Sequence, residues 1–233
     1  MLRIRFMQQW FELSAPAMEE VLFDVPPYRE FAAMDDGNDR FPDESTILRF
    51  RHLLETHKLA VPMLATVTDV LRDKALMLRI SSVVDATLIS APSTTKNDSV
   101  QRDPGMHQTK KGNIRPFGMK AHIGVDAQSS LVHMVKVTSA NFKDVVEGND
   151  LLLGDETDGI GDAGYQVTHK RHDGKDGVTW HEAMRPSQPR ALDKSAGLGA
   201  LSNDGERLKA SIRAKVKHSF RVIKRQCGLN KVR

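Results

Sequence analysis

Cysteine is nearly absent. The single Cys227 in 233 residues excludes an internal disulfide framework and fits a reducing compartment. No Cys/His cluster has zinc-site spacing, and the nine histidines are scattered. Long hydrophobic runs are missing too. No stretch approaches the roughly 18 apolar residues of a membrane span, and the N-terminus lacks a signal-peptide pattern. A cytoplasmic protein with no membrane partner is expected. Positive charge is scarce early in the chain: Glu12 to His57 carries eleven acids against four arginines, so this stretch is not an obvious phosphate-binding surface. Hydrophobic content of 39% and charged content of 27% remain ordinary, enough for one or two domains with a real core.

The charge that is present lies at the other end. From Glu206 to Arg233 there are ten Lys/Arg and one acid, a net of +9, while the whole chain is only +4. A basic tail on a slightly acidic body points to a polyanion, most simply nucleic acid. A second basic stretch is the polar loop 90–117, where Lys110 and Lys111 could neutralise phosphates.

Residues 1–78 read as helical. Ser14 can cap a helix through Met18, Val21 and Leu22, ended by Pro26-Pro27. Ser45 can cap a second through Ile47, Phe50, Leu53 and Leu54. Pro62 suits the first turn of a third, through Leu64, Val67, Leu71, Ala75 and Leu78. Such helices are compatible with a helix-turn-helix-like DNA module and equally with a plain bundle.

Beyond residue 79 the pattern changes to strands. Ile80-Ser81-Ser82-Val83-Val84-Asp85-Ala86-Thr87 reads as a buried strand carrying one acid. Burying that carboxylate without a partner or a cation would cost several kcal/mol. Phe117 to Asp126 and Leu131 to Val137 form a hairpin about a turn at Ala127 to Ser130. Asp144 to Leu153 then reads as a helix, and Thr157 to Gly161 as a strand ending at Asp162. Gly161 and Gly164 beside that acid allow close approach of backbone or metal. Two acids on adjacent strand ends are what a divalent-metal site requires. Val178 to Met184 is a further strand, and Arg185 to Asn203 reads as a connector.

The last helix has the clearest periodicity. Leu208, Ile212, Val216, Phe220, Ile223 and Cys227 recur at steps of three and four, forming one apolar stripe. Arg213, Lys217 and Lys224 fall within about 40° of one another on a flank roughly 90° away. Arg221 and Arg225 add to the cationic surface of this helix.

The order of these segments resembles the RNase H-like catalytic core of bacterial insertion-sequence DDE transposases, and most closely their IS-five group. The carrying residues are Val83-Val84-Asp85-Ala86-Thr87, Met106 to Gly112, Gly118 to Asp126, Gly161-Asp162-Ala163-Gly164-Tyr165 and Lys209 to Gln226. Arg5 to Phe11 and Ile47 to Leu54 resemble that group's N-terminal module. The resemblance implies an α/β fold with an N-terminal helical module (1–78) and an RNase H-like core (79–233). It also implies metal-dependent DNA cleavage and strand transfer with two Mg2+ (or Mn2+) ions held by three acids. Its implied partners are double-stranded DNA, as terminal inverted repeats and target, and further copies of the chain on that DNA, in a bacterial nucleoid-associated setting. Asp85 and Asp162 match the first two acids. The third should be a glutamate on the last helix, between Arg213 and Lys224, but Lys217 stands there. An ammonium offers no lone pair to a metal and reverses the local charge. Weakened metal binding is therefore expected, and Glu206, about 16 Å earlier along an ideal helix, is too far away to substitute. Two further departures are Ile114-Arg115-Pro116, where the family is usually aromatic, and a C-terminus that stops short. The alternative reading is a non-catalytic DNA-binding remnant that occupies element ends or acts as an inhibitor.

Overall fold

The computed structural model describes all residues except 35–39, 79, 94–100, 111, 173, 186, 189–196 and 232–233. It divides into two compact units: Met1–Thr66 with Val222–Leu229, and Val67–Arg221 with Asn230–Arg233. Among the described residues no helix is long and apolar enough to cross a membrane.

The first unit is helical, with α1 (Leu2–Trp10), α2 (Ala15–Asp24), α3 (Pro26–Ala32), α4 (Glu44–Thr56) and the start of α5 (Ala60–Asp73). Ser14 caps α2, its Oγ accepting the Ala17 amide at 3.3 Å. Pro26-Pro27 both end that helix and open the next, because a fixed φ and a missing N–H suit a first turn. The cap of α4 is Asp43 rather than Ser45. Asp43 has the extended backbone a cap needs, and its Oδ1 accepts the Thr46 amide at 2.7 Å. Met7, Met18, Leu22 and Ile47 close into one core with Ile4.

The second unit is built on a mixed sheet. Its strands are β1 (Ser81–Ser90), β2 (His107–Gln108), β3 (Phe117–Asp126), β4 (Val132–Ser139), β5 (Asp158–Gly161) and β6 (Thr179–Glu182). The order runs β2-β3-β1-β5-β6, with β4 also paired to β3. β1 is antiparallel to β3 from Ser82–Asp126 to Ser90–Gly118, and parallel to β5 from Ser81–Asp158 to Val83–Ile160. As a central strand β1 is covered on both faces, which is why its consecutive valines, Val83 and Val84, are both fully buried. Val84 packs with Leu151, Leu152 and Tyr165.

Three expectations need correction here. The helix from Asp144 stops after one turn: α6 is Asp144–Glu147, followed by a 3-10 turn at Asn149–Leu151. Gly148, Asn149 and Asp150 are weak helix formers that favour such turns. The connector before the last helix is shorter than expected, since α7 runs from Gly197 to Arg221. The apolar stripe of that helix is also only partly used. Val216 and Phe220 are buried, whereas Leu208 is 63% exposed. Beyond Arg221 the chain widens into a π turn, Val222–Gln226. The 100° phase that groups Lys224 with Arg213 and Lys217 therefore ends at Arg221.

The three antiparallel strands, the parallel strands beside them and the helix laid on the sheet make a mixed α/β unit of the RNase H-like kind.

Candidate active site

β1 and β5 carry the two acids singled out in the sequence. The parallel register pairs the strands as far as Val83–Ile160, so Asp85, two residues further along β1, and Asp162, two residues further along the other chain segment, lie at the same end of the sheet. Asp162 acts electrostatically on the Asp85 carboxyl. Asp162 lies just beyond β5 and opens a 3-10 turn, its Oδ1 accepting the Gly164 amide at 2.7 Å. Asp85 Oδ1 accepts the Ala86 amide at 2.8 Å.

Their surroundings differ in charge and in access. Burial pushes the Asp85 carboxyl up to about 6, the Ala86 amide pulls it back, Asp162 and Asp144 raise it, and Arg213 lowers it. A bound cation would offset this cost of burying the carboxylate. Arg213 lies on α7 with its Nη2 3.7 Å from Asp162 Oδ2. Its Nε is buried without a hydrogen-bond partner. Burial and then Asp144, Asp85 and Asp162 push the Tyr165 hydroxyl up as well. That hydroxyl is fully buried and also unpartnered.

The structure thus brings together Asp85, Asp162 and Arg213 from the residues named in the sequence. Lys217 is exposed, next to the buried Val216, and is not among the charges acting most strongly on Asp85. Lys110, Arg221 and Arg225 are exposed, and Lys224 is half-buried. Lys111 lies outside the described residues. Lys209 and Lys215 belong to the scaffold: Lys209 Nζ donates to the Glu182 carbonyl at 3.0 Å, and Lys215 Nζ to the Ala127 carbonyl at 2.6 Å.

Sequence reasoning missed a group on the next strand and helix. Lys120 and His122 alternate with period two on β3, so they share one face. Lys120 Nζ donates to Asp144 Oδ1 at 2.9 Å and to the Phe142 carbonyl at 2.7 Å. His122 is fully buried, with its Nδ1 3.9 Å from the same carboxylate oxygen. The signal available was the spacing of Lys120 and His122. Nothing local tied Asp144 to them.

Among the described residues no three His, Cys, Asp or Glu side chains form a ready-made metal cage. Two neighbouring carboxylates, one of them largely buried, nonetheless fit a hard divalent cation. Mg2+ in particular is often held by one or two carboxylates, completing its shell with water and substrate phosphate.

The whole core carrying these acids matches a known family. Residues 79–233 match the description "Transposase DDE domain", and residues 1–53 match "Transposase domain (DUF772)". A solved structure, the "Crystal structure of the Mos1 Strand Transfer Complex", aligns with 97% of this chain and 75% of that chain. Its 13% identity and TM-score of 0.22 are too low to bear on the reading. The match over residues 79–233 spans both strand-borne aspartates and the helix laid beside them, and the chain belongs to the DDE transposase family.

Proposed function

We propose that this chain is an insertion-sequence transposase of the IS-five group that binds the terminal inverted repeats of its element as an oligomer and cuts and joins DNA at Asp85 and Asp162. The observation that supports this reading is the parallel pairing of β1 with β5, which brings the two aspartates to the same end of the sheet, with the Asp85 carboxyl raised by burial and by its acidic neighbours. Asp85 and Asp162 would hold Mg2+ or Mn2+, which supplies Lewis-acid activation of the attacking oxygen and charge stabilisation at phosphorus. Arg213 stands where it can shift between Asp162 and a substrate phosphate, acting as a bidentate donor. Lys110, Lys111, Arg221, Lys224 and Arg225 neutralise backbone phosphates. Lys217 occupies the place of the family's glutamate, so strand transfer is slow.

Labelled element ends incubated with purified protein and Mg2+ or Mn2+ test this. Weak cleavage is expected from the wild type, stronger cleavage from Lys217→Glu, and none from Asp85→Asn. Full wild-type activity that survives Asp85→Asn would remove the site assignment.

A second reading is a non-catalytic protein that occupies element ends and blocks active copies. It is favoured by the exposed Lys217 and by the lack, among the described residues, of a three-acid cage. Binding that needs no divalent ion, with no cleavage even from Lys217→Glu, would select it.

A further inference from the structure

Aromatic side chains of the first unit crowd together on its surface. Phe6, Trp10, Phe11 and Phe31 are each between 41% and 55% exposed. Scattered singly, exposed apolar residues need no explanation, but a contiguous patch marks an interaction surface. Phe6 stacks on Trp10 with centroids 5.9 Å apart, and Trp10 meets Phe31 edge-on at 5.7 Å. Phe11 tilts against Tyr28 at 5.3 Å, and one groove joins both groups. We propose that this face joins two copies of the chain in a twofold-symmetric dimer. The proposal rests on the oligomer put forward above and names the surface that makes it.

The shape of the face suits a second copy. Leu2, Phe6 and Trp10 recur at steps of four along α1 and are all exposed, so they form a ridge on one side of the helix. Beside it, between α1 and α3, lies an open groove of about 240 Å3 lined by Met7, Trp10, Phe11, Pro27, Tyr28 and Phe31. Rows of side chains at steps of four pack into grooves of a facing helix surface. A twofold interface uses the same patch on both partners, so that patch must complement itself. A face with a ridge and a groove side by side meets this condition. Each copy's ridge enters the other's groove.

Size and chemistry agree. An aromatic side chain buries about 150–250 Å2 when covered, so the exposed parts of these four come to roughly 400 Å2. A standard interface buries about 800 Å2 per partner, somewhat more than half of it apolar. The four rings thus supply most of the apolar part of one such face. DNA and anionic lipid fit it less well. None of the groove's lining residues is charged, and Glu12 to His57 carries eleven acids against four arginines, which repel phosphates.

Sedimentation velocity on the full chain without DNA tests this, at concentrations up to about 100 µM, well above the micromolar limit for interfaces of this size. Wild type should pass from monomer to dimer. Trp10→Glu and Phe6→Glu should each raise the dimer Kd at least about thirtyfold, the loss typical of a hot spot. Leu53→Glu, at an exposed leucine of α4 outside the groove, should leave it unchanged. A second readout keeps the patch intact and so does not depend on how its variants fold. Trp10 and Trp180 are the two tryptophans. In Trp180→Phe, the Trp10 emission should move to the blue and lose acrylamide quenching as the dimer forms. A dimer that persists in Trp10→Glu and Phe6→Glu, or that forms without changing Trp10 emission and quenching, overturns the inference and leaves the oligomer standing on another surface. A wild type that stays monomeric also overturns it. If element ends then still collect several copies, the oligomer reading survives; if they bind one copy, both fall. A monomer whose binding to element ends weakens in Trp10→Glu would assign the aromatic face to DNA bases instead.

Discussion

Asp85 shows what a buried carboxylate costs the fold that holds it. Its folded-state value, about 6, lies above the ordinary 3.8. The neutral form is thus the one the folded chain favours. The resulting stability is complete below about pH 3.8 and is lost as pH rises through about 6. At 1.36 kcal/mol per unit, the loss is on the order of 2–3 kcal/mol. In EDTA, wild type should become less stable than Asp85→Asn between pH 4 and 7, with the two denaturation midpoints diverging over that window. Mg2+ at pH 7 should narrow the gap by stabilising wild type alone, because a ligand that binds only the folded state raises stability. Parallel midpoints at every pH would mean that Asp85 is better solvated than its place in β1 implies. Glu156 runs the other way. Burial would raise it, but the Leu153 and Gly154 amides and the Ser82 hydroxyl hold it below the usual carboxylate range. It therefore adds stability above the unfolded value, lost as pH falls through the folded one, a drop distinct from that of Asp85.

Among the elements, the final helix separates what periodicity can and cannot reveal. Its stripe was legible as a helix because apolar residues recur at steps of three and four. How deeply each residue sinks was not legible. Depth depends on where the helix meets the sheet, and that contact is made by residues distant in the chain. Val216 and Phe220 reach the core, while Leu208, about two to three turns earlier in the same stripe, stays 63% exposed. Leu208→Ala should therefore change unfolding free energy by no more than about 0.5 kcal/mol. Phe220→Ala should cost about 3–5 kcal/mol through the cavity it leaves. Urea titration of both variants checks this, and equal losses would mean that the stripe packs along its whole length. Strand reading had the same strength and the same limit. The alternation in Phe117 to Asp126 and the paired valines of β1 announced strands. Their order in the sheet, which brings Asp85 and Asp162 to the same end of it, came from the resemblance and the structure. The tie of Asp144 to Lys120 and His122 was invisible for that reason, since they lie more than twenty positions away.

For the molecule as a whole, the division of charge decides how it meets DNA. The stretch from Glu206 to Arg233 carries +9, and the remainder is acidic, so attraction to a polyanion is concentrated rather than spread. Part of that charge is already engaged. Lys209 and Lys215 hold backbone carbonyls, and Arg213 faces Asp162. The cations left exposed, among them Lys110, Arg221 and Arg225, are the ones able to displace counterions from phosphates. Each phosphate so neutralised steepens the fall of log K with log salt by about 0.9 on duplex DNA. Replacing Lys110, Arg221 and Arg225 by alanine, singly and then together, should flatten the slope by about 0.9 per residue and weaken binding to every duplex sequence alike. Replacing Lys209 should instead lower stability and leave the slope unchanged. Gel-shift titration over a series of potassium chloride concentrations measures both slope and affinity. A slope indifferent to all three exposed cations would mean that none of them meets a phosphate of the DNA.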